Sequence, residues 1–292
     1  MILIISTMII IYIYNYHIEY YSQICKYRRI KDFTRWILSD KFIAKQYAKV
    51  NNFNIPETYQ LVKYPHNINF NKLPSSYVIK PTDLCDSGGV YLIKNNVNLK
   101  TNLPITNREI VHNLIKLRAK IGNEYYMHDL MYDGKIPFKG YIVEELLLDN
   151  NDIPNDLKFY TFNGKIYFIA ITFNRNKNNT FNSVWVNRNW ETINIPMIKN
   201  NYYNIKIKKP DNYNELILKV ESMSKILNRH CRIDVYNINN KIYLGEFTFF
   251  CGAYLHTFFC NFILGIIWIF NPDNYKITDN KLFELIPDFY NI

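Results

Sequence analysis

Hydrophobic positions recur along this chain with two periods and divide it into helical and extended stretches. Behind Ser39, the residues Phe42, Ile43, Tyr47 and Val50 fall at helical spacing. Residues 22–50 therefore read as two helices broken near Ser39, with Ser39 as the N-cap of the second. Pro56 to Pro74 is a turn-rich connection holding a short strand at Tyr59–Val62. Tyr77–Lys80 is a β-branched and aromatic strand that runs through Pro81 and Asp83 into Ser87-Gly88-Gly89 and a second strand, Val90–Ile93. Arg108–Ile121 has the pattern of an amphipathic helix, and Tyr141–Leu148 that of an apolar strand interrupted by Glu144 and Glu145. Leu157–Phe162 and Lys165–Ile171 flank Asn163-Gly164, the preferred pair for a two-residue type I′ hairpin. Asn174 to Asn189 reads as a loop and Tyr213–Leu227 as a helix. Cys231–Tyr236 and Lys241–Phe249 read as two strands joined by an Asn-rich turn. No internal repeat appears, and neither a G-x-G-x-x-G nor a P-loop motif is present.

Two runs depart from both periods. Met1 to Tyr14 carries no charge, but a bilayer span needs about 20 apolar residues, and the run approaches that only with Tyr16 to Tyr21 in the interface. Three readings stay open for it: a short membrane anchor, a buried helix or strand, and a cleaved start. As an anchor, with Lys26, Arg28, Arg29 and Lys31 following, it keeps the remainder of the chain in the cytosol. Phe258 to Phe270 holds Asn261 and Gly265, is too short to span, and reads as a buried helix, with membrane docking as the alternative.

Composition changes the weight given to charge. Ile, Asn, Lys, Tyr and Phe dominate, with 25 Tyr and 19 Phe among 292 residues. Such a bias towards residues with A/T-rich codons makes the net charge of +10 a poor argument for nucleic-acid binding, and the basic residues are dispersed. The 48% hydrophobic content excludes general disorder. Five scattered cysteines without a C-x-x-C pair exclude a zinc ribbon or disulfide framework and fit a reducing compartment. There is no H-E-x-x-H and no D-x-D.

The chemistry concentrates in two neighbouring strands. Alternation puts Arg232 and Asp234 on one face of the first, and Glu246 and Thr248 on one face of the second. The turn length sets Asp234 across from Glu246. Two carboxylates and a guanidinium on an otherwise apolar hairpin suit a hard divalent cation bridging phosphate oxygens, with Arg232 on a phosphate. The plain alternative is the solvent-facing side of an edge hairpin. Lys80 ends a strand just before a glycine-containing loop and can reach phosphates, while Ser87, Gly88 and Gly89 offer backbone N–H groups. Lys158, beside the Asn-Gly hairpin, is ambiguous alone.

Taken in order, Asp40-Lys41, Val78-Ile79-Lys80 with its loop, Ile142-Val143-Glu144-Glu145, Asp156-Leu157-Lys158-Phe159, Arg232-Ile233-Asp234 and Gly245-Glu246-Phe247-Thr248 resemble an ATP-grasp enzyme of the teichuronopeptide-biosynthesis (TupA-like) branch. The resemblance runs from about Ser39 to Phe250. It implies an α+β fold of two lobes clamping ATP, after a short apolar N-terminal segment (1–21). A helical and strand region (22–76) would precede a nucleotide-binding lobe (77–146) and a C-terminal lobe (147–292) with the Mg2+ and phosphate site and an apolar insertion. By the same resemblance Lys41 and Lys80 contact ATP phosphates, Ser87, Gly88 and Gly89 belong to the loop that closes over them, and Glu144, Glu145 and Leu146 form the adenine hinge. Lys158 adds a phosphate contact, Asp234, Glu246 and Thr248 hold Mg2+, and Arg232 stabilises the transferring phosphate. The 174–189 loop, with Arg175 and Trp190, is a candidate substrate lid.

The departures lie after Lys80, where the family's histidine is missing and Asp83 and Asp86 appear, and after Glu246, where Cys251-Gly252-Ala253 and the apolar stretch replace a Gly-rich run. The implied activity is an ATP- and Mg2+-dependent ligase joining a carboxylate to an amine through an acyl phosphate, in polysaccharide or glycopeptide assembly. Its partners are a carboxylate or amine substrate and, through residues 1–21, a membrane, but no nucleic acid. The alternatives are a kinase or phosphotransferase acting on a sugar or polymer, and a non-catalytic nucleotide-binding scaffold.

Overall fold

Two buried aspartates cut the first helical stretch into three pieces rather than two. Helices α1 (Tyr20–Arg28), α2 (Phe33–Leu38) and α3 (Lys41–Val50) are separated at Asp32 and Asp40. Asp40, not Ser39, caps α3, because its carboxylate accepts from the N–H groups of Phe42 (2.9 Å) and Ile43 (3.0 Å). Ser39 ends α2 instead, donating its hydroxyl to the Arg35 carbonyl at 2.8 Å. The computed structural model describes residues 18–84, 88–121, 140–150, 152–173, 182–199, 205–249, 255–275 and 279–285.

The smaller of two antiparallel sheets has the order β1-β6-β2-β3-β4-β5. Its strands are β1 (Thr58–Val62), β2 (Ser76–Pro81), β3 (Tyr91–Lys94), β4 (Val97–Asn98), β5 (Leu103–Pro104) and β6 (Tyr141–Glu145). Helix α4 (Asn107–Ile121) covers it, setting Ile110 and Leu114 into a core with Ile68, Tyr77, Ile79, Ile93, Tyr141 and Val143. The β6 strand stops at Glu145, three residues short of the apolar run, where the chain leaves this sheet for the other one.

The second sheet has the order β11-β10-β7-β8-β9. It comprises β7 (Asp156–Phe162), β8 (Lys165–Phe173), β9 (Asn182–Asn187), β10 (Cys231–Ile238) and β11 (Lys241–Thr248). Asn163 (φ 45°) and Gly164 (φ 84°) make the expected hairpin turn. Asn239-Asn240 joins β10 to β11, and Asn95-Asn96 joins β3 to β4, all four at positive φ. Part of the asparagine excess thus has a conformational use, since Asn tolerates the left-handed region that these tight turns require. Part of the expected 174–189 loop is the edge strand β9, whose alternating residues pair along β8 from Phe168 to Phe173.

One face of this sheet carries Ile233 and Phe247 and packs under α3 and α5 (Tyr213–Leu227), in a core that also takes in α1, α2 and α6 (Phe258–Phe270). Residues 22–76 are therefore no unit of their own. Their helices belong to the large core, and their strand β1 belongs to the small sheet. A final short helix, α7 (Lys281–Glu284), adds Leu282 to the large core.

Tyr20 is not at an interface but fully buried, its hydroxyl 2.6 Å from His230 Nε2 and its ring 5.6 Å from that of Trp268. The residues of 1–14 lie outside the described ones. Beside Tyr20, α1 crosses α6 at Gly265, where a side chain would collide with the Ile18 carbonyl and stand 2.8 Å from the backbone nitrogen of Tyr20. Glycine is required there by the close approach of two helices. Gly265→Ala is expected to cost about 3 kcal/mol by overpacking, read from urea unfolding; wild-type stability would contradict this packing.

Burial lowers the pKa of His230 and of His256 to about 3. The unfolded chain binds their protons near pH 6.5, so their contribution is complete above about pH 6.5 and is lost progressively towards pH 3. Between about pH 7 and pH 5, His230→Gln should lose about 2 kcal/mol less stability than the wild type. Equal pH slopes in urea melts would refute a neutral buried imidazole.

Candidate functional site

Register brings the chemistry together on the face of the large sheet opposite α3 and α5. In β10, Asp234 stands between Lys158 of β7 and Glu246 of β11, and Arg232 between Tyr160 and Thr248. Residues directly opposite in adjacent strands share a face, so these side chains converge. Asp234 is 2% exposed, yet both its oxygens are occupied. Arg232 donates Nε to Oδ1 and Nη2 to Oδ2, each at 2.7 Å, and Lys158 donates to Oδ2 at 2.6 Å. Burial alone would raise the Asp234 pKa; the two cations outweigh it and hold the carboxyl below its ordinary value. Lys158 also binds Asp156 at 2.6 Å, and Arg232 Nη2 reaches Thr248 Oγ1 at 3.0 Å and Glu246 Oε1 at 3.4 Å. Glu246 differs from Asp234 in being 41% exposed at its side chain.

A second cluster lies on the small sheet. Lys80 in β2 lies opposite Ile142 in β6, which puts it on the same face as Glu144 two residues on. The Glu144 carboxylate bridges two ammonium groups, Lys80 on Oε1 and Lys45 on Oε2. Burial would raise Glu144, but Lys45 and Lys80 hold it below its usual range. Burial lowers Lys45 to about 7. Lys80 stays raised: burial pulls it down, Glu144 overrides that, and Glu246 adds to the rise. That last influence brings Lys80 and the β10–β11 carboxylates within one electrostatic neighbourhood.

The other sequence candidates are distributed around this pair of clusters. Lys41 donates its ammonium to the Leu84 carbonyl and its backbone N–H to Thr82 at 2.9 Å, which ties the start of α3 to the loop after Lys80. Ser87 lies outside the described residues. Gly88 and Gly89 form a turn, and Gly89, at φ +69°, adopts a conformation that strains any other residue, with the Leu117 and Pro81 side chains close by. Its requirement is conformational as much as any loop closure. Glu145 and Leu146 lie where the chain crosses between sheets. The Glu145 N–H is taken by Glu57 at 2.8 Å, and the Glu144 side chain is turned to the two lysines. Asp83, one of the departing acids, is held by both Arg118 terminal nitrogens, so it braces α4 and is neutralised there. Asp86, Arg175 and residues 251–253 lie outside the described residues. Trp190 is not part of a free lid: its indole donates to the Ile207 carbonyl at 3.0 Å and its ring packs on Tyr213.

Sequence reasoning did not find Lys45 or the far end of the face, and it gave Asp156 no role. There, Lys158 aligns with Ala170 and Trp185, and Trp185 packs at 4.8 Å on Tyr160. The Tyr160 hydroxyl meets His256 Nε2 at 3.1 Å. Three buried polar atoms in this group have no hydrogen-bond partner: Ser183 Oγ, Trp185 Nε1 and His256 Nδ1. An unmade bond of this kind costs about 1–3 kcal/mol each. Burial keeps His256 neutral, and Arg232 and Lys199 push the same way. The cluster therefore combines unpaired hydrogen-bonding groups with positive potential. Only the hairpin motif was legible beforehand, because β9 lay within an apparent loop.

A metal ion fits the donor set in one manner. Among the described residues no three His, Cys, Asp or Glu side chains gather to hold one. Asp234, Glu246 and Thr248 supply hard oxygen atoms on one face and leave the rest of a Mg2+ shell to phosphate oxygens or water.

Residues 22–263 match the family described as TupA-like ATP-grasp. No curated protein matches the sequence. Among solved structures, D-alanine–D-alanine ligase from Bacillus anthracis, complexed with ATP, is 14% identical with a TM-score of 0.41, covering 73% of this chain and 55% of its own. A D-cycloserine synthetase is 11% identical with a TM-score of 0.45, covering 82% and 71%. The biotin carboxylase domain of Hydrogenobacter thermophilus 2-oxoglutarate carboxylase, in complex with MgADP, is 10% identical with a TM-score of 0.44, covering 73% and 40%. The chain thus spans about half the length of the ligase from Bacillus anthracis.

The shared carboxylate of Glu144 sets an asymmetry. Lys45→Met leaves Glu144 paired with Lys80, whereas Glu144→Gln leaves two buried ammonium groups facing each other. Glu144→Gln should cost about 3–5 kcal/mol, clearly more than Lys45→Met. Equal urea midpoints for the two variants would exclude the bridge.

Proposed function

This chain belongs to the TupA-like ATP-grasp family, and from that premise we propose that it is an ATP- and Mg2+-dependent ligase that joins a carboxylate to an amine. The observation that carries the reading is the convergence of Asp234, Glu246 and Thr248 with Arg232 and Lys158, with Lys80 in the same electrostatic neighbourhood. ATP brings about four negative charges, and three cations near two carboxylates are the complement that a metal-bound triphosphate needs. When bound, Mg2+ would neutralise phosphate charge and orient the terminal phosphate.

The residues of the chain do the remaining work. Arg232 and Lys158 both rest on Asp234, and phosphate oxygens are ligands able to draw them away. That exchange frees Asp234 oxygens beside the open Glu246. Lys80, held by Glu144, and Arg232 then neutralise the phosphate from two sides. The substrate carboxylate is assigned to Ser183, Trp185 and His256, whose polar atoms are unpaired, with His256 under the positive influence of Arg232 and Lys199. A carboxylate oxygen attacks the γ-phosphorus, the bond to the β-phosphate oxygen breaks, and ADP departs. The amine then attacks the acyl carbon, and phosphate leaves with the bonding pair as the amine gives up a proton. Family membership supports a place in glycan or glycopeptide assembly.

Mg2+-dependent ATP binding and phosphate release test this reading. Asp234→Asn/Glu246→Gln should weaken Mg2+-ATP at least about thirtyfold, the loss of about 2 kcal/mol of charge-assisted binding. Unchanged affinity would sink the site. Phosphate retained on the acceptor, rather than released, would replace ligation by phosphotransfer.

A further inference from the structure

Two lysines from different elements share one buried carboxylate. Lys45 comes from the middle of α3, Lys80 from β2 and Glu144 from β6, and the carboxylate takes both ammonium groups. Access divides them. The side chains of Lys45 and Glu144 are 1% and 3% exposed, whereas that of Lys80 is 17% exposed. A ligand can therefore meet Lys80 but not Lys45, whose effect must pass through Glu144.

The neighbours of Lys45 in its helix have a different allegiance. Ile43, Ala44, Tyr47 and Ala48 belong to the large core, so Lys45 reaches out of that core to a residue of the small sheet. Packing needs no ions for such a contact, because apolar side chains of similar volume often hold a buried junction as well as an ion pair does. What an apolar trio could not supply is charge. Two ammonium groups against one carboxylate leave a net positive charge in the cluster, and its most open member is Lys80. With Glu144 divided between two cations, neither is fully neutralised; without Lys45, Lys80 and Glu144 would cancel. We propose that Lys45 is a positioning residue for the nucleotide: by holding one oxygen of Glu144 from the side of α3, it leaves Lys80 with uncompensated charge for the ATP phosphates. This role rests on the reading of Lys80 as a phosphate ligand.

The charge of Lys45 can itself change. Burial lowers its pKa to about 7, with Glu144 opposing. Glu144 of β6 and Lys80 of β2 act on it directly, and Glu246 of β11 acts on Lys80. Asp40 at the start of the same helix, beside Lys41, is raised to about 7 by burial. An incoming polyanion favours protonated Lys45, so the contribution of Lys45 to binding is full below about pH 7 and fades as the pH rises above it.

Equilibrium binding of Mg2+-ATP to the full chain, with Lys45→Met and Lys45→Gln compared at about pH 6 and about pH 8.5, tests the assignment. Both variants should bind about tenfold more weakly than the wild type at the lower pH and within about twofold of it at the higher one. That is the effect of a lysine pKa raised by about one unit on binding. Asp40 and ATP titrate in all three proteins and drop out of the comparison. Glutamine keeps a hydrogen-bond donor for Glu144 without the charge, and circular dichroism checks that both variants are folded. Affinity restored by glutamine would make Lys45 a hydrogen-bond donor only, and an equal loss at both pH values would make it a packing residue. Either overturns the proposal, as do variants that bind like the wild type. Wild-type protein that binds no Mg2+-ATP would instead overturn the ligase reading, and this role with it.

Discussion

A carboxylate in the middle of a buried sheet is the constraint to which the rest of this structure answers. Asp234 lies in a strand with neighbours on both sides and is almost without solvent. An unpaired charge there would be prohibitive, so the fold must deliver cations to it. Lys158 arrives through the β7–β10 register and Arg232 from the same strand two residues away. A slip of one residue in the β7–β10 pairing would turn Lys158 to the opposite face and leave the carboxylate with Arg232 alone. The tight Asn163-Gly164 and Asn239-Asn240 turns and the apolar face beneath α5 hold that register.

The small sheet is joined to this arrangement by charge as well as by chain. Glu144 draws Lys80 and Lys45 together across the junction of β2, β6 and α3, while Glu246 makes itself felt at Lys80. One carboxylate therefore spaces the lysines, and the other lies where a polyanion would join them. Lys41, tied to the Thr82 and Leu84 carbonyls, fixes the same loop from the side of α3. Cations of both sheets share one electrostatic neighbourhood, and an anion between them is the natural complement.

Local chemistry was legible in the sequence wherever period and turn agreed. The hairpins at 163–164 and 239–240, the helices at 213–227 and 258–270, and the facing of Asp234 and Glu246 all follow from alternation and turn length. What stayed hidden depended on tertiary approach. Lys45 reads as one more lysine on an amphipathic helix until Glu144 comes from a strand about a hundred residues away. Ser39 and Asp40 are both good caps, and only burial and two N–H groups decide between them. β9 was lost within an Asn-rich stretch because an edge strand has half its ladder unpaired and little periodic signal. Asp83 stood out only as a departure from the family's loop, and Arg118 from α4 gives it a bracing role.

On the proposed reading, the two ends of the candidate face differ in a manner that matters for the order of events. Around Asp234 the Nε and Nη2 of Arg232 and the ammonium of Lys158 are already engaged, so an incoming phosphate would exchange partners with them. Around Trp185 the polar atoms of Ser183, Trp185 and His256 wait without partners. A ligand at the first end gains only the difference between two charge-assisted sets of bonds, whereas one at the second recovers bonds that the folded chain has left unmade. The first end is thus suited to a ligand that brings large charge and leaves again as ADP and phosphate. The second is suited to selecting a substrate by a few well-placed hydrogen bonds, since a molecule lacking the matching groups would leave those atoms unpaired. On the proposed reading, the charged end supplies the turnover and the unsatisfied end supplies the choice of substrate.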